Sequence, residues 1–367
     1  NVPALRFPEF KGEWKKMRLG DNCNIQMCKR IMAAQTNTEG GVPFYKIGTI
    51  GGKADAYISK DLFDEYKMKY SFPHKGEVMI TCAGTVGKCI IYNGEDSYYQ
   101  DSNIVWIDNP NEIISNDFLY HLLSKINWSH LNSTTIVRIY NDDLRNLKLY
   151  YPHHDEQKKI THLFQLINER IATQNKIIDK LQSLIKGISN IIFASIQGRE
   201  YRMGEIATIT NGDSNVQDAV TEPKEGMYPF FDRSEDIKYL PTFLFDKEAL
   251  IYPGEGAEFM PRYIKGKFAL HQRCYAIFDF KDIVNVQFLY FYLKTQNSYF
   301  IRNAVGSTVP SLRLDTFQKL KVIIPPKVMQ RKVSLCLSSI EQKCNAEKVI
   351  LQSLLKQKQY LLRQMFI

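Results

Sequence analysis

Two long runs of regularly spaced apolar residues dominate the hydrophobic pattern of the chain. Over 160–192 the apolar positions recur at steps that alternate between three and four residues, and the run over 333–365 repeats the same steps 173 residues later. A period of 3.5 is typical of a helix whose apolar seam packs against another helix. Because the two runs share length and phase, the sequence predicts that these helices pair with each other. The residues predicted to form the pairing seam are Ile160, Phe164, Ile167, Ile171, Ile178, Leu181, Ile188, Val333, Leu337, Ile340, Leu351, Leu354 and Leu361.

One polar position interrupts each seam at the same place. Gln174 in the first run has Glu347 as its counterpart in the second. Buried polar residues in a seam can fix the register of two helices; alternatively, both side chains reach solvent where the helices splay apart. A straight helix over 160–192 would be about 48 Å long, which suits a spacer better than the core of a compact domain.

The repetition includes the segments that precede the two helices. LKLYYPHHDEQKKI (147–160) and LKVIIPPKVMQRKV (320–333) share their Leu-Lys, Pro, Gln and Lys positions. Further upstream, the aromatic amphipathic segment 118–123 has its counterpart at 288–293. The segments between these anchors diverge, and only apolar runs broken by glycine are shared. The chain is therefore predicted to be an internal duplication with two different globular parts.

Short apolar runs between turn signals predict strands in both globular parts. We expect an α+β protein in which two mixed α/β domains alternate with two long helices. The predicted strands are Val78–Thr81, Cys89–Tyr92, Ile104–Ile107, Tyr275–Phe278 and Lys321–Ile324. The predicted boundaries are 1–152 for the first domain, 153–197 for the first helix, 198–325 for the second domain and 326–367 for the second helix.

Charge and cysteine content narrow the class of partner and the compartment. The formal net charge of +9 favours a polyanionic partner such as nucleic acid. The seven cysteines form no CxxC pair, and Cys336 and Cys344 lie in the second helical run, where we expect buried free thiols. No apolar stretch approaches 18 residues and no signal-type N-terminus is present, so we expect a cytoplasmic protein.

The motifs that would indicate catalysis are incomplete. GTVGKC (84–89) departs from a phosphate-binding loop at two positions, which favours a glycine hairpin. His153–Glu156 has no ligands at the equivalent place of the repeat, so a solvated helix start is favoured over a metal site. Glu222 and Lys224 have the spacing of some nucleases but lie in a polar loop without a second carboxylate. No active site and no metal site are predicted.

Basic and amide side chains offer candidate contacts to DNA. Asn and Gln can pair with adenine and Arg with guanine, whereas Ser and Thr beside an arginine suit phosphate. Because 213–258 is acidic, the basic face of the second domain is expected within 262–273 and 302–313. The candidates are Lys29, Arg30, Lys46, Lys88, Tyr98, Gln100, Asn103, Thr135 and Arg138 in the first domain, and Arg262, Lys265, Lys267, Gln272, Arg273, Ser307, Thr308 and Arg313 in the second.

The doubled order of elements resembles the specificity subunit of type I restriction–modification enzymes. The resemblance rests on a strand ending in Pro, a helix start containing Gln157 or Gln330 and a long heptad helix, all written twice behind divergent domains. The opening NVPALRFPEFKGEW is also similar to that family. The chain departs from it at Met329, where the family has an acidic residue as Glu156 is here. The resemblance implies two target-recognition domains on a pair of helices packed as an antiparallel coiled coil, each domain reading one half of a bipartite, asymmetric DNA site.

The resemblance also implies which partners carry the chemistry. Two modification subunits would bind S-adenosylmethionine and methylate adenine at N6, and restriction subunits, where present, would use ATP and Mg. This chain itself would be non-catalytic and hold no cofactor. Two alternatives stay open from the residues alone: a coiled-coil scaffold that binds protein partners, whose affinity would be insensitive to salt, and a metal-dependent nuclease using Glu222 and Lys224.

Overall fold

The structure is a computed structural model that describes residues 1–99, 103–128, 137–306 and 308–367. Residues 1–173 together with 351–367 form a first compact unit, and residues 174–350 form a second. Each unit combines a globular part of mixed α/β structure with the beginning of one long helix and the end of the other. The predicted α+β fold class, with two mixed domains alternating with two long helices, is confirmed.

The described residues of the first unit form three separate sheets. Its elements are β1 (Lys15–Arg18), β2 (Asn24–Gln26), β3 (Val42–Tyr45), β4 (Ala56–Ile58), α1 (Lys60–Lys69), β5 (Val78–Thr81), β6 (Cys89–Ile91), β7 (Tyr98–Tyr99), β8 (Ile104–Asp108), α2 (Asn116–Lys125), α3 (Asn141–Arg145), β9 (Lys148–Tyr151) and the start of α4 (His154–Ser195). The strand orders among the described residues are β2-β8-β5-β6, β4-β3-β7 and β1-β9.

The second unit joins most of its strands into one sheet. Its elements are β10 (Arg199–Arg202), α5 (Met203–Ile206), β11 (Thr208–Asn211), β12 (Tyr228–Phe231), β13 (Lys238–Leu240), β14 (Phe245–Pro253), β15 (Arg262–Leu270), β16 (Cys274–Phe278), α6 (Val286–Lys294), α7 (Asn297–Asn303), α8 (Leu314–Lys319), β17 (Lys321–Ile324) and the start of α9 (Lys327–Met365). The strand orders are β11-β16-β14-β15-β12-β13 and β10-β17.

The divergent middles of the two units share one topology. The order β2-β8-β5-β6 matches β11-β16-β14-β15, and β1-β9 matches β10-β17. Strand β3 runs parallel to β7, as β12 runs parallel to the end of β15. The nine-residue strand β15 therefore corresponds to β6 and β7 together, which residues 92–97 separate in the first unit. All five strands predicted from the sequence are confirmed, with ends that differ by at most one residue.

A buried glutamine explains why the sequence repeats the Pro and Gln positions at the start of each long helix. Gln157 lies in the first turn of α4 and is 1% exposed. Its amide nitrogen donates to the carbonyl oxygens of Ile113, at 3.0 Å, and Pro152, at 3.1 Å, and its amide oxygen accepts from the N–H of Ser115 at 2.8 Å. Because Ser115 is the N-cap of α2, this glutamine ties the start of the long helix to the start of the aromatic helix.

The second unit repeats this arrangement bond for bond. Gln330 in α9 is fully buried and donates to the carbonyl oxygens of Ile283 and Pro325, each at 2.8 Å. Its amide oxygen accepts from the N–H of Asn285, the N-cap of α6, at 2.7 Å. The repeated Pro and Gln positions are therefore a structural joint between globule and helix.

The start of α4 is less solvated than the sequence predicted. His153, His154 and Asp155 are exposed, but Glu156 is 1% exposed. The Arg6 guanidinium donates to both oxygens of this carboxylate, at 2.7 Å each. The prediction of a solvated residue is wrong for Glu156 because the N-terminal segment covers it. Met329, its counterpart in α9, is 48% exposed.

Helices α4 and α9 contact each other within each unit and run in opposite directions. In the first unit, the Phe164 ring of α4 lies 5.7 Å from the Phe366 ring at the end of α9. In the second unit, the Gln174 amide donates to the carbonyl oxygen of Glu347 at 3.0 Å and also to its carboxylate, and Ile188 packs in the same cluster as Val333. Helices α4 and α9 are therefore antiparallel.

The two polar seam residues contact each other in the second unit. Gln174 and Glu347 are each 7% exposed, so they do not splay into solvent. All thirteen apolar residues predicted to form the seam are buried or half-buried. Among the cysteines of α9, Cys344 is buried as predicted, but Cys336 is exposed because it lies outside the seam. The prediction of a buried thiol is wrong for Cys336.

The end of each long helix packs on an aromatic helix of a globule. In the first unit, the Phe366 ring lies 5.0 Å from that of Phe118 in α2. In the second unit, the Phe193 ring of α4 lies 5.5 Å from that of Phe288 in α6. The hydrophobic core of each globular part therefore includes a phenylalanine from the long helix that ends beside it.

Candidate nucleic-acid interface

Three chain segments meet at one end of the four-stranded sheet in the first unit. The N–H of Cys82, just after β5, donates to the carbonyl oxygen of Asn103, just before β8, at 2.6 Å. The N–H of Ile139, ahead of α3, donates to the carbonyl oxygen of Cys82 at 2.9 Å. We call this meeting point the junction of the first unit.

A glycine turn lies beside this junction. Strands β5 and β6 pair antiparallel, and the connection contains Gly84 and Gly87 at φ of 65° and 80°. A Cβ on Gly87 would clash with the Trp128 ring, so the turn needs glycine for space as well as for its backbone conformation. The predicted glycine hairpin is confirmed.

The second unit has an equivalent junction. The N–H of Gly254, just after β14, donates to the carbonyl oxygen of Arg273, just before β16, at 2.9 Å. The N–H of Leu312, ahead of α8, donates to the carbonyl oxygen of Gly254 at 2.8 Å. Two candidates from the sequence, Asn103 and Arg273, thus occupy the same place in the two units.

The side chains at the two junctions differ. In the first unit, the Arg138 guanidinium donates to the Asn103 side-chain oxygen at 3.0 Å. In the second unit, Arg273 Nη1 donates to both carboxylate oxygens of Glu255, at 2.9 and 3.1 Å. The Arg273 side chain is 64% exposed, whereas that of Glu255 is 19% exposed. Glu255 is not among the candidates predicted from the sequence, although Gly254-Glu255-Gly256 lies where the glycine turn of the first unit lies.

Tyr98 is a core residue of the first unit. Its side chain is 1% exposed in β7, its hydroxyl donates to the Lys29 carbonyl oxygen at 2.7 Å, and its ring lies 6.4 Å from that of Phe44. Burial also raises the pKa of the Tyr98 hydroxyl. The prediction that this side chain contacts DNA is wrong, because the pairing of β7 with β3 turns it into the core.

The basic candidates of the first unit differ in their surroundings. The ammonium group of Lys88 donates to the carbonyl oxygen of Ile50, so it faces the protein. Lys46 forms an ion pair with Asp55 at 2.9 Å. Lys29 lies 5.3 Å from the centre of the Tyr70 ring, and Arg30 is exposed.

Arg262 serves the second unit internally. Its guanidinium donates to the carbonyl oxygen of Ser234, at 2.9 Å, and to that of Asp232, and it lies 5.0 Å from the Phe231 ring centre. Burial lowers the pKa of this group. The prediction of a DNA contact is therefore corrected for Arg262, which anchors the loop after β12.

The remaining candidates divide into exposed residues and residues outside the structure's described ranges. Lys267 lies 4.6 Å from the centre of the Phe243 ring and is exposed. The other exposed candidates are Lys265, Gln272, Thr308 and Arg313. Gln100, Thr135 and Ser307 lie outside the described residues.

The structure also shows the surroundings of the residues considered for metal binding and for nuclease chemistry. Among the residues that the structure describes, no group of His, Cys, Asp and Glu side chains could hold a metal ion. Glu222 and Lys224, the candidate nuclease pair, are both exposed. Within the same described ranges, no helix is both long and apolar enough to span a membrane.

The chain is thus a two-domain protein whose duplicated backbone frame carries different side chains at its two equivalent junctions. A family model described as the type I restriction modification DNA specificity domain matches residues 11–183 and 198–356. The chain therefore belongs to this family.

Known proteins of similar sequence are specificity subunits. A putative type I restriction enzyme specificity subunit of Haemophilus influenzae is 43% identical over 188 residues, which cover 51% of this chain and 45% of that protein. The EcoDI specificity subunit of Escherichia coli is 28% identical over 132 residues, which cover 35% of this chain and 28% of that protein. The chain thus matches less than half the length of each of these relatives.

Two solved structures share the fold over nearly the whole chain. The type I restriction–modification S subunit from M. genitalium superposes with a TM-score of 0.64 at 17% identity, covering 100% of this chain and 99% of that one. A chain from a study of complex assembly and conformational transition of the type I R-M system gives 0.54 at 14% identity, covering 98% of each. The predicted family resemblance is confirmed.

Proposed function

We propose that this chain is the DNA-reading subunit of a type I restriction–modification complex. Each globular part reads one half of a bipartite, asymmetric DNA target. The chain directs adenine-N6 methylation by partner subunits, and DNA cleavage where restriction subunits are present. It performs no catalysis itself.

The observation that carries this proposal is the pair of equivalent junctions. Both units hold their three segments with the same two backbone hydrogen bonds, yet one presents Asn103 with Arg138 and the other Arg273 with Glu255. A shared frame with different amide and guanidinium groups is what two readers of different base sequences require. The net charge of +9 agrees with a polyanionic partner.

The proposed partners are double-stranded DNA and two modification subunits, with restriction subunits in complexes that cleave. S-adenosylmethionine belongs to the modification subunits and ATP with Mg to the restriction subunits, and the complex works in the cytoplasm. Apolar side chains on the outside of α4 support docking of a protein partner on the helices. Ile177, Leu184 and Ile191 recur every seven residues and are 37%, 48% and 73% exposed.

The test is a map of N6-methyladenine across the genome of a methylation-free host that expresses this chain with its modification subunit. We expect one split, asymmetric motif, methylated on both strands. The control strain expresses the modification subunit alone and should show no such motif. Equal methylation in both strains, or a complex that binds target and scrambled duplexes equally, would contradict the proposal.

A further inference from the structure

We infer that Arg273 reads a guanine in the second half-site and that Glu255 sets its selectivity by holding the guanidinium until a base takes the place of the carboxylate. This inference rests on the proposed function. It assigns a base type to one position and a specificity role to a residue that does not itself touch DNA.

The backbone around this pair is fixed on both sides. The carbonyl oxygen of Arg273 accepts from the N–H of Gly254, and a Cβ on Gly254 would clash with that same oxygen. Glu255 is held by an isolated β-bridge to Ser311, next to the Leu312 hydrogen bond of the junction. The two charged side chains therefore extend from backbone positions that hydrogen bonds hold on both sides.

The pairing geometry leaves part of the guanidinium for a ligand. Both hydrogen bonds to Glu255 use Nη1 alone, and an arginine has five N–H donors in a planar fork. With its side chain 64% exposed, Arg273 can present two donors to the O6 and N7 acceptors of guanine in the major groove.

The carboxylate gives this contact its selectivity. Solvent screens this ion pair on the side of Arg273, whose side chain is 64% exposed, so a base with two well-placed acceptors can displace the carboxylate. A phosphate brings its own negative charge toward Glu255, and a base without two acceptors offers the guanidinium less than the carboxylate does. Arg273 is therefore released mainly by the correct base.

The described residues of the first unit place different side chains at the equivalent junction. Ala83 follows Cys82 where Glu255 follows Gly254, and the cation of that junction is Arg138, which bonds the Asn103 amide. Because Glu255 and Arg273 both belong to the second unit, substitutions at these two residues should change the reading of the second half-site alone.

The experiment uses the complex of the full chain with its modification subunit and measures methylation at the target and at each single-base variant of both half-sites. Arg273→Gln should reduce discrimination at one G·C pair of the second half-site by about 5- to 150-fold. Glu255→Gln should keep the target but raise methylation at second-half mismatches by about 2- to 5-fold. Glu200→Gln is the matched control, because Glu200 is 56% exposed and pairs with Lys321 on β17.

Three outcomes would overturn the inference. One is an equal loss for all sequences with Arg273→Gln, which would make it a phosphate contact. Another is a Glu255→Gln profile that matches Glu200→Gln, and the third is a changed first half-site. Failure of the proposed function looks different, since the unaltered complex would then show no methylation that depends on this chain. Thermal unfolding of each variant checks that the second unit remains folded.

Discussion

The buried glutamines at the starts of α4 and α9 provide the sharpest test of how the duplicated frame is held together. Gln330 is fully buried and makes three hydrogen bonds to backbone groups, with donor–acceptor distances of 2.7 to 2.8 Å. Truncation by Gln330→Ala removes all three and leaves the N–H of Asn285 and two carbonyl oxygens without their partner.

The expected loss of unfolding free energy follows from these three hydrogen bonds. Each contributes a net of about 0.5–1.5 kcal/mol, and an unsatisfied buried group costs more than the average bond. We therefore expect Gln330→Ala to destabilise the second unit by about 3 kcal/mol. Gln157→Ala should have a similar effect on the first unit, because its three bonds span 2.8 to 3.1 Å.

The assay must resolve the two units, since unfolding of a chain with two compact units need not be two-state. Native-state hydrogen exchange of the amides of α6 reports on the second unit, and that of α2 on the first. Gln342→Ala is the matched control, since Gln342 is an exposed glutamine of the same helix. The reasoning would be refuted if Gln330→Ala lowered protection no more than Gln342→Ala, or if it loosened both units equally.

Two further predictions concern the helix pair. The pKa of Glu347 is lowered below its usual 4.5, mainly by a hydrogen bond from Lys343 and next by one from Gln174. The stability that this carboxylate contributes is therefore present above pH 4.5 and is lost as the pH falls through its lower folded pKa. Glu347→Gln should remove this acid dependence from unfolding curves, and an unchanged dependence would exclude Glu347 as its source. The Phe366 side chain is 2% exposed and its ring lies 5.0 Å from that of Phe118. Phe366→Ala should therefore lower the free energy of unfolding of the first unit by about 3–5 kcal/mol. Hydrogen exchange should show this as lost protection in α2 but not in α6.

Periodic features of the fold could be predicted because they are local properties of the sequence. The heptad steps identified both long helices and the common phase of their seams. The repeated Pro and Gln positions marked where each helix starts, although the sequence could not show that Gln157 and Gln330 act through three hydrogen bonds to backbone groups. Short runs of apolar residues identified five strands, since each run fills one buried strand.

The candidate contacts were harder to predict because exposure depends on tertiary packing. Tyr98 and Arg262 have side chains suited to DNA, but strand pairing buries the first and backbone carbonyl groups occupy the second. Asn103 and Arg273 could be identified as candidates from the sequence, and the junction hydrogen bonds put them at equivalent places in the two units. Glu255 could not be predicted, because a single carboxylate between two glycines forms no recognisable sequence motif.

The division of the chain into two units has a consequence for the order of folding during synthesis. The second unit is the continuous stretch 174–350, whereas the first needs 351–367 to complete it. Translation therefore delivers every residue of the second unit before Met365 and Phe366, which are buried in the core of the first. We expect the first unit, although it begins the chain, to complete its core only after every residue of the second unit has been synthesised, because Phe118 and Phe164 pack against Phe366.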